Sequence, residues 1–321
     1  MTDTAFLGRV GEVELGASAM GGLFYICVFT IAFGFSVGSQ ILIARRNGEG
    51  RYKDVGPVMI QGGIFLLGLA VLMFGLTHLL APSIVRLLIS SDSIFDATME
   101  FLNWRIWGFF FAFVNVMFRA LYIGITRTKV LTMNAVVMAL VNVLLDYILI
   151  FGKFGMPEMG IKGAAVASVM AEAASLAFFL IYTYAKVDFK KFGLNHWQKI
   201  DFSLLGKILS ISCFTMIQYF LAMATWFVFF IAIERLGQRE LAIANIVRSI
   251  YIVMLIPVQA LSTTTNSLVS NLIGAGGITH VMRLIWRMPG CRFSLWWSVW
   301  RWWCFFLMSC FRFTPTNRRC W

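Results

Sequence analysis

Charged side chains are scarce in this chain of 321 residues, and acidic ones are the scarcest. Asp, Glu, Lys and Arg make up 13% of the sequence, and no Asp or Glu follows Glu240. A typical soluble domain has about 25% charged residues, so a large water-soluble core is excluded. Only three histidines occur, at scattered positions, and they form no cluster of metal ligands.

Familiar catalytic and targeting motifs are also missing. The six cysteines invite a zinc or disulfide interpretation, but Cys27 and Cys213 are isolated in apolar runs and the other four lie in the C-terminal tail, without metal-ligand spacing. The first residues lack a basic start followed by an apolar run, so no cleavable signal peptide is expected. GAGG at 274–277 is not followed by the GK[ST] of a phosphate-binding loop.

The chain has long apolar runs instead. Hydrophobic residues make up 60% of the sequence, and the mean hydropathy is +0.80. A helix of about 20 apolar residues crosses a bilayer. The predicted spans are 15–44, 56–80, 101–124, 130–152, 160–185, 204–233 and 240–273. The sequence therefore predicts an all-α polytopic membrane protein, with residues 82–96 as either an amphipathic helix at the interface or an ordinary loop.

The net charge of +12 would suit a nucleic-acid partner, but the basic residues lie in short loops between the apolar runs. Alternating the loops across a membrane places eleven basic residues on one side and six on the other. Loops rich in Lys and Arg stay in the cytoplasm, so we expect a multi-pass inner-membrane protein with a cytoplasmic 186–207 loop and no nucleic-acid partner. The eleven are Arg45, Arg46, Arg51, Lys53, Arg127, Lys129, Lys186, Lys190, Lys191, Lys199 and Lys207; the six are Arg9, Arg86, Lys153, Lys162, Arg235 and Arg239.

An internal repeat relates two parts of the chain. Residues 8–50 align without a gap with residues 234–276, at a constant separation of 226, and 10 of the 43 aligned positions are identical. The identical positions include loop glycines as well as apolar residues. Two related halves in a very apolar chain are typical of secondary transporters, whose halves move about a shared cavity. The alternative is chance similarity between two membrane helices.

The repeat and the loops divide the chain into an amino-terminal transmembrane lobe, an inter-lobe linker, the start of a second lobe and a tail. These segments are 1–185, 186–207, 208–285 and 286–321. The counterpart of the helix before the second copy falls before the start of the chain. We therefore expect a fragment of a twelve-helix protein with two tandem six-helix lobes, here the first lobe nearly complete and two or three helices of the second. The tail holds seven of the eleven Trp residues, which resembles out-of-frame translation; the alternative is an interfacial aromatic belt.

Ionisable side chains inside the spans are the candidates for chemistry. Asp146 lies in LVNVLLDYILIF, where an ionised carboxylate costs about 2.5–3.5 kcal/mol on insertion scales. Asn142 precedes it by one helical turn and shares its face. Asp3 is expected at a similar depth in an earlier helix, because both positions lie a few residues from a helix end. Two such carboxylates can bind a proton. The alternatives are a structural partner for Asp146 on a neighbouring helix and a solvated Asp3.

Several segments together resemble the multidrug and toxic compound extrusion (MATE) family, over about residues 1–287. They are DTAFLGRVGEVELGA, FRALYIGITRTK, NVLLDYILIFGKFGMPEMGIKGAAVAS and ERLGQRELAIAN. The resemblance implies alternating access between two lobes and export of small lipophilic or cationic compounds by an intact monomer, in exchange for H⁺ or Na⁺ and without another cofactor. It also implies that Asp3 takes the family's acidic position in the first helix. Asn142 and Asp146 take its Asn–Asp pair in the fifth, where Na⁺ is the one metal expected.

The resemblance is incomplete in the seventh helix. Some members carry an acidic coupling residue there, whereas this chain offers neutral polar residues such as Gln218, with Thr215 and Thr225. Arg119, near a helix end, is a candidate gate residue. A flippase for lipid-linked oligosaccharide or polysaccharide remains the alternative within the same superfamily, although it would need a large basic cavity. An enzyme is not expected, because the spans contain no nucleophile–base pair. A non-functional fragment, which would not transport, is the third interpretation.

Overall fold

The computed structural model describes residues 6–89, 91–194, 201–234 and 238–284. In these ranges the chain is helical and contains no strand. The helices are α1 (Glu12–Gly48), α2 (Val55–Leu88), α3 (Asp92–Arg105), α4 (Gly108–Gly124), α5 (Lys129–Ile150), α6 (Gly160–Lys186), α7 (Phe202–Glu234) and α8 (Gln238–Gly274). Among the described residues, five helices are long and apolar enough to cross a membrane, or six if α3 and α4 form one bent span. The all-α polytopic fold predicted from the sequence is confirmed.

Helices α1 and α8 confirm the internal repeat. Both contain 37 residues, and both begin and end at positions separated by 226 residues. Each is followed by a glycine with positive φ, Gly50 at 71° and Gly276 at 78°, a conformation that favours glycine. The next amide closes the same turn in each copy: Arg51 N–H donates to the Arg46 carbonyl, and Gly277 N–H donates to the Leu272 carbonyl, both at 3.0 Å.

Helix α8 differs from the other predicted spans in its polar content. It contains the run STTTNS at 262–267 and is not among the five or six spans of the described residues. Its threonine hydroxyls donate to carbonyls one turn earlier, as Thr264 does to Ala260 at 2.8 Å and Thr265 to Leu261 at 2.8 Å. These bonds satisfy the hydroxyls within the helix, so a polar helix remains compatible with an apolar surrounding.

One expectation about helix boundaries was wrong, and one predicted span is bent. Residues 82–88 are neither an interfacial helix nor a loop but the end of α2, which continues through Pro82; membrane helices tolerate proline when neighbouring groups compensate for the lost donor. The predicted span 101–124 is also not one straight helix. It comprises the end of α3 and all of α4, which are bent by 53°. Arg105 ends α3 there and turns towards α6, where it bonds to Glu172.

Helix α1 is the central element, because it packs against α2, α3, α4, α7 and α8. The loops that carry the larger set of basic residues meet at one end of the bundle. There the Gly56 N–H donates to the Phe192 carbonyl at 2.8 Å, and Arg127 donates to the Lys186 carbonyl at 3.3 Å. Helix α7 begins at Phe202, within the predicted linker. The cytoplasmic location of this end, the lobe boundaries and the tail remain predictions, and residues 286–321 lie outside the described residues.

Candidate functional site

Helices α5 and α6 form a close antiparallel hairpin that positions the polar residues of α5. In the connection, the amides of Lys153 and Met159 donate to the carbonyls of Ile148 and Leu149, both at 3.0 Å. Gly163, in the first turn of α6, lies so close to α5 that a β-carbon would be 2.7 Å from the Leu149 carbonyl oxygen. The end of α5 that carries Asp146 is therefore held directly against α6.

Helix α5 exposes several large apolar side chains and buries the polar residues Asn134 and Asp146. Leu140 and Leu144 are 66% and 58% exposed, whereas Asp146 is fully buried. Asn134, also buried, donates to the Ser175 hydroxyl of α6 at 2.8 Å. This arrangement is the reverse of a soluble helix, because lipid is the solvent for the outer face. Asp146 thus faces the protein, which is the orientation expected from the sequence.

A cavity of about 260 Å³ lies between α5 and α6, one helical turn from Asp146. Asn142 lines it from α5, Ser168 and Glu172 line it from α6, and Arg105 reaches it from the end of α3. The remaining lining residues are Ala135, Met138, Ala139 and Ala171. The cavity is large enough for several water molecules and has polar groups to bind them. The structure therefore places Asn142 at a cavity with several polar lining residues, within the membrane-spanning region.

One wall of this cavity is an ion pair between Arg105 and Glu172. Arg105 Nη2 donates to Glu172 Oε1 at 2.6 Å, and Nη1 donates to Oε2 at 3.0 Å, so the pair is bidentate. The side chains are only 12% and 7% exposed. The Tyr25 hydroxyl lies 3.1 Å from both carboxylate oxygens and donates to them. The Arg105 guanidinium also lies 3.6 Å from the centre of the Tyr25 ring. Three helices, α1, α3 and α6, therefore contribute to one buried charged cluster.

Two further features fit this cluster to its surroundings. Gly108, the first residue of α4, lies so close that a β-carbon there would overlap the Arg105 guanidinium and the Glu172 carboxylate. Asn115 of α4 donates to the main-chain carbonyl of Glu172 at 2.9 Å. The bend between α3 and α4 and the missing side chain at Gly108 together make room for the ion pair.

Sequence reasoning overlooked Arg105 and Glu172. The signal was present, because Glu172 lies within the predicted span 160–185 and Arg105 within the predicted span 101–124. An ionisable residue inside a span is by default a candidate functional residue. The pairing itself joins residues 67 positions apart, and no spacing rule within one sequence brings them together.

The other predicted site residues lie elsewhere. Arg119 is exposed, and its guanidinium lies 5.4 Å from the centre of the Phe33 ring. The Phe33 ring also makes an edge-on contact with Tyr219 of α7. Gln218 is exposed. Neither lines the cavity beside Asn142. Asp3 lies outside the described residues. Among the residues that the structure describes, no group of three or more His, Cys, Asp or Glu side chains is placed to hold a metal ion.

A second cavity, of about 280 Å³, lies between α1, α2 and α7. Its lining is almost entirely apolar and includes Met20, Phe24 and Cys27 of α1 with Phe220 of α7. A flexible Met side chain and aromatic rings adapt to lipophilic molecules of different shapes. This cavity is bordered by helices from both sides of the predicted linker.

Comparisons with known proteins agree with this fold. The MatE family model matches residues 1–148. A probable multidrug resistance protein NorM of Agrobacterium fabrum (strain C58) is 28% identical over 198 residues, which are 60% of this chain and 41% of that protein. A NorM of Idiomarina loihiensis is 23% identical over 291 residues, which are 88% of this chain and 61% of that protein. The chain thus spans between 41% and 61% of the length of these two relatives.

Solved structures share the arrangement of helices. A multidrug resistance MATE family transporter of the MOP superfamily, in an outward-facing conformation, matches with a TM-score of 0.83 at 18% identity, over 92% of this chain and 65% of that one. The MATE transporter VcmN of Vibrio cholerae matches with a TM-score of 0.79 at 21% identity, over 91% and 65%. The family-model match over residues 1–148, the relatives and the solved structures together show that the chain is similar to multidrug transporters of the MATE family.

Proposed function

We propose that this chain is part of a transporter that exports organic cations in exchange for H⁺ or Na⁺, and that Asp146 and Asn142 form the site where the ion and the substrate compete. The observation that carries the proposal is Asp146 itself. It is fully buried on the protein-facing side of a membrane-spanning helix, one turn from an amide that lines a cavity with several polar residues. A carboxylate in such a place costs about 2.5–3.5 kcal/mol, so a role in binding cations is a physical reason for its presence.

The relatives support the outward transport of drugs, since those compared are named multidrug resistance proteins. The apolar cavity between α1, α2 and α7 supports lipophilic substrates, because a lipophilic cation can place its apolar groups there. The chain covers less than two thirds of those relatives' length, so the export activity is proposed for the whole transporter. Cation binding is proposed for the chain itself.

The test uses a binding measurement and a transport measurement. Purified chain in detergent micelles is titrated with tetraphenylphosphonium, a lipophilic monovalent cation, at several pH values and Na⁺ concentrations. We expect Asp146→Asn to weaken binding about tenfold or more, because the amide keeps the size but carries no charge. Whichever of H⁺ or Na⁺ weakens wild-type binding is the coupling ion. Competition with H⁺ predicts weaker binding as the pH falls.

The matched control is Asp96→Asn, which removes an exposed carboxylate of α3. In drug-sensitive cells without their own exporters, the whole transporter should confer tolerance to cationic dyes that Asp146→Asn abolishes and Asp96→Asn leaves unchanged. Undiminished binding and export after Asp146→Asn, with normal amounts of protein in the membrane, would show that Asp146 is not the coupling site.

A further inference from the structure

One end of the helix bundle carries basic residues of two kinds. Around the connection between α1 and α2, three arginines pair with the carboxylates of Glu49 and Asp54. At the same end of the α5–α6 hairpin, no carboxylate of the described residues lies within ion-pair distance of Arg127, Lys129 or Lys186. We call these three residues the basic site. In the described part of the chain, no ion pair balances its positive charge.

The basic site is held together by the fold. Arg127 lies in the connection between α4 and α5, Lys129 is the first residue of α5, and Lys186 is the last residue of α6. The Arg127 guanidinium donates to the Lys186 carbonyl at 3.3 Å, which joins the two ends of the hairpin. All three side chains are exposed. The carboxylate nearest in the sequence, that of Asp188, accepts main-chain amides of its own loop at 3.0 and 3.1 Å.

Exposed apolar side chains begin directly beside the basic site. Met133 of α5, one turn from Lys129 and on the same face, is exposed. On α6, Ile181 and Tyr184 are exposed within two turns of the helix end. In a membrane, such apolar side chains face the acyl chains of lipids, and a tyrosine near a helix end is typical of the membrane–water interface. The basic site therefore lies where the acyl chains end and the lipid headgroups begin.

We propose that the basic site binds the phosphate of an anionic phospholipid, whose acyl chains lie against the exposed apolar side chains of α5 and α6. Guanidinium and ammonium groups form charge-assisted hydrogen bonds with phosphate oxygens, and basic residues at the end of a membrane helix attract anionic headgroups. A soluble anion uses only the charged groups, whereas a phospholipid uses the charged groups and the apolar side chains beside them. The inference is independent of the proposed transport, because it concerns a different end of the α5–α6 hairpin from Asp146.

The test measures lipid binding by native mass spectrometry of the purified chain, released from a neutral detergent. The chain is titrated with dioleoyl phosphatidylglycerol, which is anionic, and with dioleoyl phosphatidylcholine, which has the same acyl chains and no net charge. We expect the wild-type chain to bind the anionic lipid about tenfold or more tightly than the neutral one, and each of Lys129→Gln and Lys186→Gln to weaken that binding about fivefold. The triple variant, which adds Arg127→Gln, should bind both lipids about equally.

The control is a second triple variant, Arg86→Gln with Lys153→Gln and Lys162→Gln, which removes the same charge at the other end of the helices and should keep the preference for the anionic lipid. Thermal unfolding establishes that each variant is folded, and the two single lysine variants give the readout if the first triple variant is not. Equal affinity of the wild-type chain for both lipids, or an equal loss in the two triple variants, would overturn the proposal. Displacement of the anionic lipid by millimolar inorganic phosphate would also overturn it, because the site would then select a free anion.

Discussion

Replacing Gly48 with alanine should separate α1 from α8 and lower the stability of the chain. Gly48 lies so close to α8 that a β-carbon would overlap the Asn271 carbonyl oxygen. Its repeat partner Gly274 lies in the same way against the Arg45 carbonyl oxygen. Asn271 and Arg45 are themselves 226 residues apart. The contact is therefore reciprocal: each copy of the repeat offers a glycine to the backbone of the other.

Hydrogen bonds surround this contact and depend on the short distance. Asn47 donates to the Asn271 side-chain oxygen at 2.7 Å, and Asn271 in turn donates to the Gly124 carbonyl at 3.1 Å. Gln40, two turns earlier on α1, donates to the Thr263 carbonyl at 3.3 Å. Backbone atoms oppose both glycines, so the strain of an added methyl group cannot be relieved by rotating a side chain. The helices must move apart and lengthen these bonds.

The magnitude follows from two opposing effects. Inserting a methyl group into a closely packed contact costs about 1–3 kcal/mol. Alanine is favoured over glycine inside a helix by about 0.5–1 kcal/mol, and by less at a last helical residue such as Gly48. The net destabilisation should therefore be about 1–2 kcal/mol. For a domain of this general size, that corresponds to a fall of about 2–6 °C in the midpoint of thermal unfolding.

Thermal unfolding in one detergent compares wild type, Gly48→Ala, Gly274→Ala and the double variant. Gly22→Ala is the matched control, because Gly22 lies in the same helix with no atom near its absent β-carbon, and it should not lower the midpoint. The double variant should lose less than the sum of the single losses, by about 0.5 kcal/mol or more, because the first alanine already separates the helices. A stable Gly48→Ala chain, or fully additive losses, would refute the reciprocal contact.

Two other substitutions test contacts nearer the candidate site and the core. Gly108→Ala should destabilise the chain by about 1–3 kcal/mol, because its methyl group would overlap both members of the Arg105–Glu172 pair. Tyr122→Phe should destabilise it by about 0.5–1.5 kcal/mol, because it removes the buried 2.7 Å hydrogen bond between the Tyr122 and Thr183 hydroxyls. Both changes are measured as shifts in thermal unfolding.

The controls for these two substitutions are Gly63→Ala, at a helical position with open space around it, and Tyr184→Phe, whose side chain is 84% exposed. Both should leave the unfolding midpoint nearly unchanged. If Gly108→Ala changes the unfolding midpoint as little as Gly63→Ala does, the ion pair does not depend on the absence of a side chain at Gly108. If Tyr122→Phe behaves like Tyr184→Phe, the hydrogen bond adds nothing to stability.

The sequence was sufficient for features that depend on local patterns. Apolar length predicted the spans, because the bilayer requires about 20 apolar residues whatever the neighbours are. The constant separation of 226 predicted that α1 and α8 are equivalent helices, and the structure gives them equivalent ends. Asp146 was expected to face the protein because a carboxylate is strongly disfavoured in lipid. Each of these inferences needs only the sequence and the nature of the surrounding solvent, without knowledge of tertiary contacts.

Features that depend on two distant segments could not be predicted in the same way. The 53° bend before Gly108 has no proline, and the polar partner of Arg105 is on another helix. The second span was predicted to end at residue 80, yet α2 continues through Pro82 to Leu88, as membrane helices can where neighbouring groups compensate for the lost donor. In each case the deciding interaction is tertiary, and a single sequence does not show which distant residue supplies it.

The repeat shows that a residue identical in both copies does not have to occupy the same environment in each. The glycines Gly48 and Gly274 make equivalent contacts, because each lies at the interface between α1 and α8 and faces the backbone of the other helix. The tyrosines Tyr25 and Tyr251 are also identical across the repeat, but their environments differ. Tyr25 is 5% exposed and bonds to Glu172, whereas Tyr251 is 42% exposed and its ring lies 5.2 Å from Trp226. The symmetry of the repeat therefore accounts for the contact between its two copies. It does not account for the environment of Tyr25, which depends on the buried charged residues that Tyr25 contacts.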